Sequence, residues 1–460
     1  MKTKLLYFFI YFTLCFQAIE LTEHSWRIEM KSRMNDYVKL GLEIKISKPR
    51  IVSISPEGID WSKGIYNDFG VWNFPNIWKE QDGRIFVTFN VHHDSALNYG
   101  LPGKMYFSTD NGKHWKPVIY DNTSQNIFSL HAKPIDIPGG EQIAIVAKRP
   151  YKTKDIKLPE NPLNKQGELH WPYNTSVFYR IGDFPRDMMA MKLLRRKQGQ
   201  KKWIEEKSYI DWPEYTVWTD KRGILPVPFF IGGDIINAPD GSLLAMSENM
   251  RINKRNKALS KCCIVCLRST DRGHTWKYWS MFSLPDLDSD KNTPIESELN
   301  SSLYEPRPLF IKNDNLICVT RSSSTRTLDH SMYIVYSKDM GKTWSQPRKI
   351  TDYGVFPQLL KLKNGVIVLS YGRPGIYLRF STDNGKTWGP PITLHGVKPE
   401  GLILSKYRKI RYQDTCGYTG LLAIGSDKFL IVYSDTTYYD KKGNLRKRII
   451  VREVDVKDLK

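Results

Sequence analysis

The chain has 460 residues, of which 25% are charged, and its formal net charge is +21. This basic balance indicates anionic partners such as acidic glycans or glycoconjugates. The densest basic run lies between Lys192 and Lys202, and a solvated hairpin accounts for it, so nucleic acid binding is not predicted.

The N-terminal segment has the features of a secretory signal. Lys2 and Lys4 precede an apolar run at residues 5–16, which is shorter than the roughly 20 residues that a membrane span requires. We expect residues 1–18 to be removed and no integral membrane segment to remain, so that the mature protein is secreted or periplasmic. Residues 19–460 are expected to form a single domain, and the oligomeric state is left open.

Six short turns, each followed by an apolar strand, recur along the chain. The turns begin at Asp82, Gly139, Asp240, Asn313, Asn364 and Ser426. Each predicts an inner hairpin. The long gap after the second hairpin leaves room for an insertion around residues 150–230. Two alternating segments, 26–46 and 446–456, are candidates for an outer strand that closes the assembly.

A second repeat, S-x-D-x-G-x-x-W, occurs four times after alternating apolar stretches. Its Asp can accept hydrogen bonds from nearby backbone N–H groups, its Gly supplies a turn conformation, and its Trp can bury a large ring. We therefore predict that the unit makes turns and takes no part in catalysis. The four copies begin at Ser108, Ser269, Ser337 and Ser381.

The cysteines give no sign of a metal centre or a disulfide framework. Cys263 and Cys266 form a lone C-x-x-C within a predicted strand, where residues three apart point to opposite faces and chelate poorly. Buried thiols are the predicted outcome. The chain also lacks a phosphate-binding glycine loop and a nucleophile elbow, so we predict neither a cofactor nor a metal.

The four-fold repeat resembles the Asp-boxes, or BNR repeats, of the sialidase (neuraminidase) superfamily. The resemblance implies an all-β fold, a six-bladed β-propeller with Asp-box hairpins. The six predicted inner hairpins supply an independent count, one for each blade.

The resemblance also implies a site in which arginines bind a sugar carboxylate and a tyrosine is the nucleophile. Tyr418, followed by Thr419 before the last hairpin, resembles the family's nucleophile, and Glu305 resembles the glutamate that serves as its base. Arg321 and Arg373 end two hairpin strands, as the family's second and third arginines do. Arg379 is the alternative to Arg373.

Asp94 follows the first hairpin strand, where the family keeps an acid/base aspartate on a mobile loop. Such a residue needs only to reach the glycosidic oxygen with a suitable pKa. The neighbouring His92 and His93 either tune that pKa or face solvent.

One departure from the family pattern concerns its first arginine. The corresponding position is Asn73, which precedes Phe74 and Pro75. An amide brings no charge to a substrate carboxylate, and a charged hydrogen bond contributes about 1.5–3 kcal/mol against about 1 for a neutral one. Arg307 is the predicted substitute.

The favoured function is an exo-acting glycoside hydrolase, a sialidase that releases terminal sialic acid by a retaining Tyr/Glu mechanism. A hydrolase or lyase of another acidic, uronate-type glycan is the first alternative. A non-catalytic propeller that binds anionic glycans is the second, and the Tyr418–Glu305 pair argues against it because a binding module needs no such pair.

Overall fold

The chain is built from short antiparallel strands, as the alternating apolar segments predict. The computed structural model describes residues 33–57, 70–119, 132–169, 175–230, 235–252, 259–284, 302–312, 314–323, 331–396 and 417–459. Helical structure in these segments is limited to residues 33–39 and three 3₁₀ turns, Ala96–Asn98, Thr153–Asp155 and Ile181–Asp183. The predicted all-β class is confirmed. The predicted signal at residues 1–18 lies outside the described residues.

The strands of the described segments, numbered in chain order, are β1 (Leu42–Ile46), β2 (Arg50–Ile54), β3 (Asn73–Lys79), β4 (Ile85–Asn90), β5 (Lys104–Ser108), β6 (Lys116–Pro117), β7 (Ile135–Ile137), β8 (Glu141–Val146), β9 (Tyr151–Lys152), β10 (Val177–Arg180), β11 (Met191–Arg196), β12 (Ile204–Asp211), β13 (Thr216–Thr219), β14 (Ile224–Leu225), β15 (Ile235–Asn237), β16 (Leu243–Ile252), β17 (Leu259–Ser269), β18 (Thr275–Phe282), β19 (Ser302–Phe310), β20 (Leu316–Ser323), β21 (Met332–Ser337), β22 (Arg348–Thr351), β23 (Val355–Lys361), β24 (Ile367–Gly372), β25 (Ile376–Ser381), β26 (Ile392–His395), β27 (Thr419–Ala423), β28 (Lys428–Tyr439) and β29 (Leu445–Asp458).

Most of these strands pair in antiparallel groups of four. Strands β3–β6, β19–β22 and β23–β26 form three separate sheets. Two further groups, β7-β8-β11-β12 and β15–β18, are joined edge to edge where β12 runs parallel to β18. The last sheet has five strands, because β29 of the group β27-β28-β29-β1 also pairs with β2. Of the described residues in the candidate segment 26–46, residues 33–39 are helical and only β1 is a strand; it pairs with β29, which contains the other candidate, 446–456.

Apolar clusters lie between consecutive groups. One joins Ile317 and Leu369 of the two sheets β19–β22 and β23–β26. Another joins Val87 of the first sheet to Val432 of the last. Fully burying an aliphatic side chain of this size contributes about 1.5–3 kcal/mol, so each interface is a substantial source of stability. The first strands of neighbouring groups also meet, with β27 packed against both β3 and β23, and β23 against β19.

The four repeated turns fold as predicted. Each connects the third and fourth strands of a sheet, at β5–β6, β17–β18, β21–β22 and β25–β26. In the last copy Ser381 Oγ donates to Asp383 Oδ1 over 2.8 Å and accepts from Gly385 N over 2.9 Å. Thr387 N donates to the same carboxylate over 2.9 Å. The aspartate therefore caps the turn, as predicted.

The six predicted inner hairpins are also present, each as the turn between the first two strands of a group. Asn313, in the fourth of these turns, lies outside the described residues. The cysteines within the described segments, Cys262, Cys263, Cys266 and Cys318, are buried free thiols. Cys263 and Cys266 pack into different apolar clusters on opposite faces of β17, as strand alternation predicts.

Part of the segment expected to be an insertion, residues 150–230, belongs to a four-stranded group, and the rest lies outside these groups. Strands β11 and β12, which contain the basic run, belong to the second four-stranded group. There Arg195 Nη1 lies 2.8 Å from Glu141 and its Nε lies 2.8 Å from Glu206, so part of the run is neutralised by ion pairs. Outside the four-stranded groups, β10 pairs with β13 and β14 pairs with β9, forming two short ribbons.

The described residues contain neither a membrane-spanning helix nor a metal-binding cluster. None of the helices there has the length and hydropathy of a transmembrane span. The described His, Cys, Asp and Glu side chains also form no group that could hold a metal ion.

Candidate active site

The same irregularity occurs in the first strands of three sheets. Phe74, Glu305 and Phe356 have φ values of 56°, 53° and 50°, and the pairing register of each strand shifts at that point. Each residue precedes a proline, which has no N–H to donate to the sheet and so fits a bulge. A bulky residue in the left-handed region costs on the order of 1–3 kcal/mol, and such strain concentrates at functional sites.

The bulges bring their side chains to one aromatic floor. Tyr418, which comes directly before β27, packs edge-on against Phe74 with ring centroids 4.3 Å apart. Its other side contacts Phe356 at 4.6 Å. These three rings form a buried cluster of their own, separate from the apolar clusters between the sheets. The packing holds the tyrosine ring, and therefore its hydroxyl, in one orientation.

Glu305 is held beside this floor as an ionised group. Its Oε2 accepts from Arg321 Nε over 2.7 Å and from Phe356 N over 2.6 Å, while its Oε1 accepts from Arg321 Nη2 over 3.2 Å. Burial opposes ionisation, but the Arg321 charge and these hydrogen bonds outweigh it, so the pKa of Glu305 is below its ordinary value. Arg321 also lies 5.0 Å over the ring of Tyr304.

Arg373 follows β24 and is brought to the site by a close backbone contact. A Cβ on the preceding Gly372 would lie 1.4 Å from the carbonyl oxygen of Gly417, so only glycine allows this approach. Arg373 is 7% exposed and has a φ of 55°. Its positive charge contributes to the lowered pKa of Glu305 and opposes the raised pKa values of Tyr418 and Asp94, so Arg373 lies near all three groups.

Tyr418 is neutral at rest. Burial, followed by the Glu305 charge, raises the pKa of its hydroxyl well above the ordinary value, although Arg373 and Arg321 oppose the shift. A neutral phenol is a poor nucleophile and needs a base as it reacts. Glu305, a carboxylate with two oxygens and about four acceptor positions, is the ionised group beside it.

Asp94 lies on the loop after β4, where it lines a cavity, and the residue as a whole is partly open to solvent. Desolvation by the surrounding walls and the nearby Glu305 charge raise the pKa of its carboxyl to about 6, against the opposing effect of Arg373. The expected effect of His92 and His93 is not seen among the causes of this shift. His92 Nε2 instead lies 3.1 Å from the Pro102 carbonyl oxygen, and His93 is exposed.

The Asp94 loop is tied down on several sides, in contrast to the mobile loop that the resemblance implies. Asn90 Nδ2 donates to the carbonyl oxygens of Gly70 and His92 over 3.0 and 2.7 Å. Arg222 Nη1, which precedes β14, donates to Ser95 Oγ over 2.9 Å. The residues outside the four-stranded groups therefore help to position the candidate acid.

The structure places two predicted residues away from the reacting groups. Arg307 Nε donates to the Pro357 carbonyl oxygen over 3.3 Å, and its guanidinium lies 5.5 Å from the Phe356 ring, behind the aromatic floor. This position supports the β23 bulge and does not replace a cation at Asn73. Arg379, the alternative to Arg373, donates to the carbonyl oxygens of Gly389 and Ile350, both over 2.7 Å, in the outer part of its sheet.

Asn73 is buried, and its side chain serves the fold. Its Oδ1 accepts from Phe74 N over 2.9 Å and from Ser434 Oγ over 2.5 Å. The amide thus fixes the first bulge against β28. Among the described residues the predicted three arginines do not converge on one carboxylate, since Arg321 is bound to Glu305 through two of its nitrogens and Arg307 lies behind the aromatic floor.

Sequence reasoning missed Glu248, on β16. Its Oε1 accepts from Glu305 N over 2.8 Å. Burial raises the pKa of Glu248 to about 7; the Glu305 charge adds to this shift, while the bond from Glu305 N and the Arg321 charge oppose it. The bulges were also missed, although the dipeptides Phe74-Pro75, Glu305-Pro306 and Phe356-Pro357 repeat at the starts of inner strands and were visible in the chain.

Residues 290–424 match the family model described as BNR repeat-like domain. The resemblance drawn from the four repeats is confirmed. No curated protein sequence matches the chain.

Several solved structures are similar in fold. A protein of unknown function from Dyadobacter fermentans is 16% identical, with a TM-score of 0.55 over 90% of this chain and 99% of that one. The alpha-L-arabinanase of Penicillium chrysogenum, complexed with arabinobiose, is 14% identical, with a TM-score of 0.51 and the same shares of the two chains. The NanB sialidase of Streptococcus pneumoniae is 15% identical, with a TM-score of 0.45 over 89% and 70%, a likeness on which no argument rests. The first two show that this chain has their fold, and its chemistry has to be argued from its own residues.

Proposed function

We propose that this protein is an exo-acting glycoside hydrolase that releases a terminal acidic sugar, with sialic acid as the first candidate. The observation that carries the proposal is the grouping of Tyr418, Glu305, Arg373 and Asp94, whose charges act on one another. A structural role alone does not call for an ion-paired carboxylate beside a buried phenol, with a solvent-exposed acid opposite.

The proposal includes the completed architecture, a six-bladed propeller. Six apolar clusters support it, because each joins one four-stranded group to the next and one of them joins the last group to the first. In such a ring the first strands line the axis, and bulges in β3, β19 and β23 would direct their side chains toward it. We also propose that the protein is exported.

The residues act in two steps. Asp94 gives its proton to the leaving oxygen while Tyr418 Oη forms a bond to the anomeric carbon and passes its own proton to Glu305. Asp94, now ionised, then takes a proton from water. That water displaces Tyr418, which regains its proton from Glu305, so configuration is retained and every group returns to its starting state.

Arg373 binds the substrate carboxylate, since a guanidinium pairs both oxygens of a planar carboxylate. Arg321 keeps Glu305 ionised and oriented, and so acts as a positioning residue. Because a single arginine is set to meet the carboxylate, a uronate-type glycan is the second candidate substrate. The same residues would act on a uronate as on sialic acid, and the two substrates differ in the shape of the sugar ring.

The experiment compares purified protein on aryl glycosides of sialic acid and of uronic acids, with Tyr418→Phe as the test variant. We expect release from one of the two series and loss of at least about 10³-fold in kcat for Tyr418→Phe, because no other nucleophile stands in its place. Tyr106→Phe, which removes a half-buried hydroxyl that only meets Ser53, is the matched control.

A fluorinated glycosyl fluoride of the preferred sugar tests the nucleophile directly. Peptide mass spectrometry is expected to find the label on Tyr418. Label on Glu305 or Glu248 would mean that a carboxylate is the nucleophile, and the Tyr418 assignment would then be wrong. Glycan binding without release from either series would favour the non-catalytic propeller.

A further inference from the structure

Each four-stranded group has a second end, away from the candidate site. In an antiparallel sheet the turns between strands one and two and between strands three and four lie at one end, and the connection between strands two and three lies at the other. Asp94 and Arg373 follow second strands and Tyr418 precedes a first strand, so the candidate site lies at the latter end. The turns between third and fourth strands lie at the opposite end, which we call the turn face: residues 109–115, 197–203, 270–274, 338–347 and 382–391.

Hydrogen bonds hold the four repeated turns of this face against neighbouring sheets. In each case the donor is a side chain on an outer strand of one sheet, and the acceptor is a backbone carbonyl oxygen in the turn of the next. The bonds run from Arg50, Ser208, Trp279 and Arg348 to the carbonyl oxygens of Gly112, Gly273, Met340 and Lys386, over 3.3, 2.6, 3.1 and 2.8 Å. The turns are therefore parts of one supported surface.

Lysine recurs on the turn face. In three of the four repeated turns the residue after the glycine is a lysine, at Lys113, Lys342 and Lys386, and the β11–β12 turn adds three more. The lysines of that turn are Lys197, Lys201 and Lys202. All six side chains are exposed, and none of them forms an ion pair within the described part of the chain. Their ammonium groups are open to an anion from outside.

The acidic residues of the turn face do not cancel this charge. The five turns contain eight lysines and arginines and four acidic residues, which are the aspartates of the repeated motif. These carboxylates are engaged by their own turns: Asp110 accepts from His114 N over 2.9 Å, and Asp383 accepts from Thr387 N over the same distance. The turn face therefore presents a surplus of positive charge, carried by side chains that point into solvent.

The distribution of these lysines fits a long, hydrated anion. They come from turns of four different sheets, so a partner has to extend across several turns to meet them. A lysine is a compact charge on a flexible stem and tolerates anions at variable positions, whereas recognition of one fixed carboxylate favours arginine. A polymer with a charge on every few sugar units has this form.

The apolar residues of the turn face argue against a membrane. A surface that binds lipid by insertion combines basic residues with exposed apolar side chains. The turn tryptophans Trp115, Trp344 and Trp388 are half-buried, and none of the exposed large apolar side chains of the described residues lies in these five turns. The face thus offers charge without a group to enter the acyl region.

We propose that the turn face binds an anionic polysaccharide, one that carries carboxylate or sulfate groups, through Lys113, Lys342, Lys386 and the lysines of the β11–β12 turn. The inference goes beyond the proposed function and does not depend on it, because this face lies at the other end of the sheets from the candidate site. Binding here would hold the protein in a layer of acidic glycan and leave the candidate site open to its substrate.

The first test measures binding of the purified protein to immobilised polygalacturonate and dextran sulfate, with neutral dextran as the blank. We expect binding to one or both anionic polymers, none to dextran, and weaker binding as salt rises, because exposed charges are screened. The triple variant Lys113→Gln/Lys342→Gln/Lys386→Gln should bind at least about tenfold more weakly. Replacing the same three residues by arginine keeps the charge and should retain binding.

The matched control is the triple variant Lys154→Gln/Lys165→Gln/Lys441→Gln. These three exposed lysines lie in connections between second and third strands, at the end of the candidate site. Both triple variants have the same net charge, so a difference between them reports the position of the charge. We expect the control to bind like wild type. Equal losses in the two variants would overturn the proposal, since binding would then follow net charge alone.

The second test distinguishes the polysaccharide from a lipid surface. Vesicles of phosphatidylcholine and phosphatidylserine, in a ratio of about 3:1, supply anionic headgroups on a bilayer. We expect the protein to sediment with these vesicles more weakly than it binds either polymer at the same salt concentration. Tighter binding to vesicles, or no binding of wild type to either polymer, would show that the assignment is wrong. Neither test requires turnover, so both stand if the proposed glycosidase activity fails.

Discussion

The repeated turns at the sheet edges and the bulges in the first strands both contain residues with positive φ, but they use them differently. In the turns, Asn384 and Gly385 have φ values of 60° and 81°, and side-chain hydrogen bonds from Ser381 and Asp383 support them locally. In the bulges the residues are Phe74, Glu305 and Phe356, and each is buried. Two of the four turns have a large residue, Arg272 or Met340, at the position of Asn384, with φ values of 62° and 53°, so the local hydrogen bonds support this position whatever the size of its side chain.

The turns are stabilised by local contacts, and the bulges by contacts between sheets. A turn that is satisfied by its own side chains can recur wherever the motif occurs, and it does so four times with the same hydrogen bonds. The bulges depend on contacts from other sheets, such as Phe356 N with Glu305 and Asn73 with Ser434. Strain there persists only because several sheets meet at the same place. The turns therefore indicate the fold, and the bulges mark the candidate site.

The largest expected effect concerns Asp94 of the candidate active site, and it tests the contrast between this site and the repeated turns. Its raised pKa of about 6 means that it keeps its proton to higher pH than an ordinary aspartate, so kcat/KM should fall as pH rises through about 6. At low pH, kcat/KM should fall when Glu305 becomes protonated. The lowered pKa of Glu305 keeps it ionised at and below its ordinary titration range. Asp94→Asn should reduce kcat by about 10²–10⁴-fold on a substrate with a poor leaving group, as expected for a lost general acid, and should remove the upper limb.

Two controls accompany the pH profile. Asp82→Asn alters an exposed aspartate that pairs with Arg84 in the turn between β3 and β4, and it should change neither kcat nor the profile. Glu248→Gln tests the other carboxyl with a raised pKa, near 7. If Glu248→Gln removes the upper limb and Asp94→Asn does not, the assignment of the acid is wrong.

The sequence could predict much of the fold because the signals were local. The turn motif, the six hairpins and the burial of Cys263 and Cys266 each follow from a few adjacent residues. It also named Tyr418, Glu305, Asp94, Arg321 and Arg373, which the structure brings together. Their order along the chain could be compared with a known pattern.

The remaining features depend on where side chains point. Arg307 lies two residues from Glu305, but the register shift between Tyr304 and Arg307 sends it behind Phe356. Glu248 contacts Glu305 only because two sheets meet, and the two are 57 positions apart. Neither contact has a local pattern in the chain, so no reading of adjacent residues could have found it.

The next prediction tests how tightly the centre is packed. Gly372→Ala would place a methyl group against the Gly417 carbonyl oxygen, so the free energy of unfolding should fall by about 3 kcal/mol, and activity should fall with it as Tyr418 is displaced. The control is Gly365→Ala in the turn between β23 and β24, where φ is 89° and no atom lies within 4 Å of the added Cβ. It should cost only about 1 kcal/mol from backbone strain and leave kcat unchanged. Urea unfolding and initial rates measure both, and equal losses in the two variants would contradict the steric argument.

The smallest expected effect lies in the repeated turns and could break the comparison. Asp383→Ala removes the acceptor for Ser381, Thr387 N and Thr387 Oγ1, so the free energy of unfolding should fall by about 1–2 kcal/mol while kcat stays unchanged. Asp352→Ala is the control, because this exposed residue pairs only with Lys349 at the surface and should change stability by less than about 1 kcal/mol. Urea unfolding followed by fluorescence measures both variants. A fall in kcat for Asp383→Ala, in protein shown to be folded, would mean that the outer turns communicate with the centre through the sheets. The conclusion that the turn aspartates serve only the fold, while the bulges form the candidate site, would then be wrong.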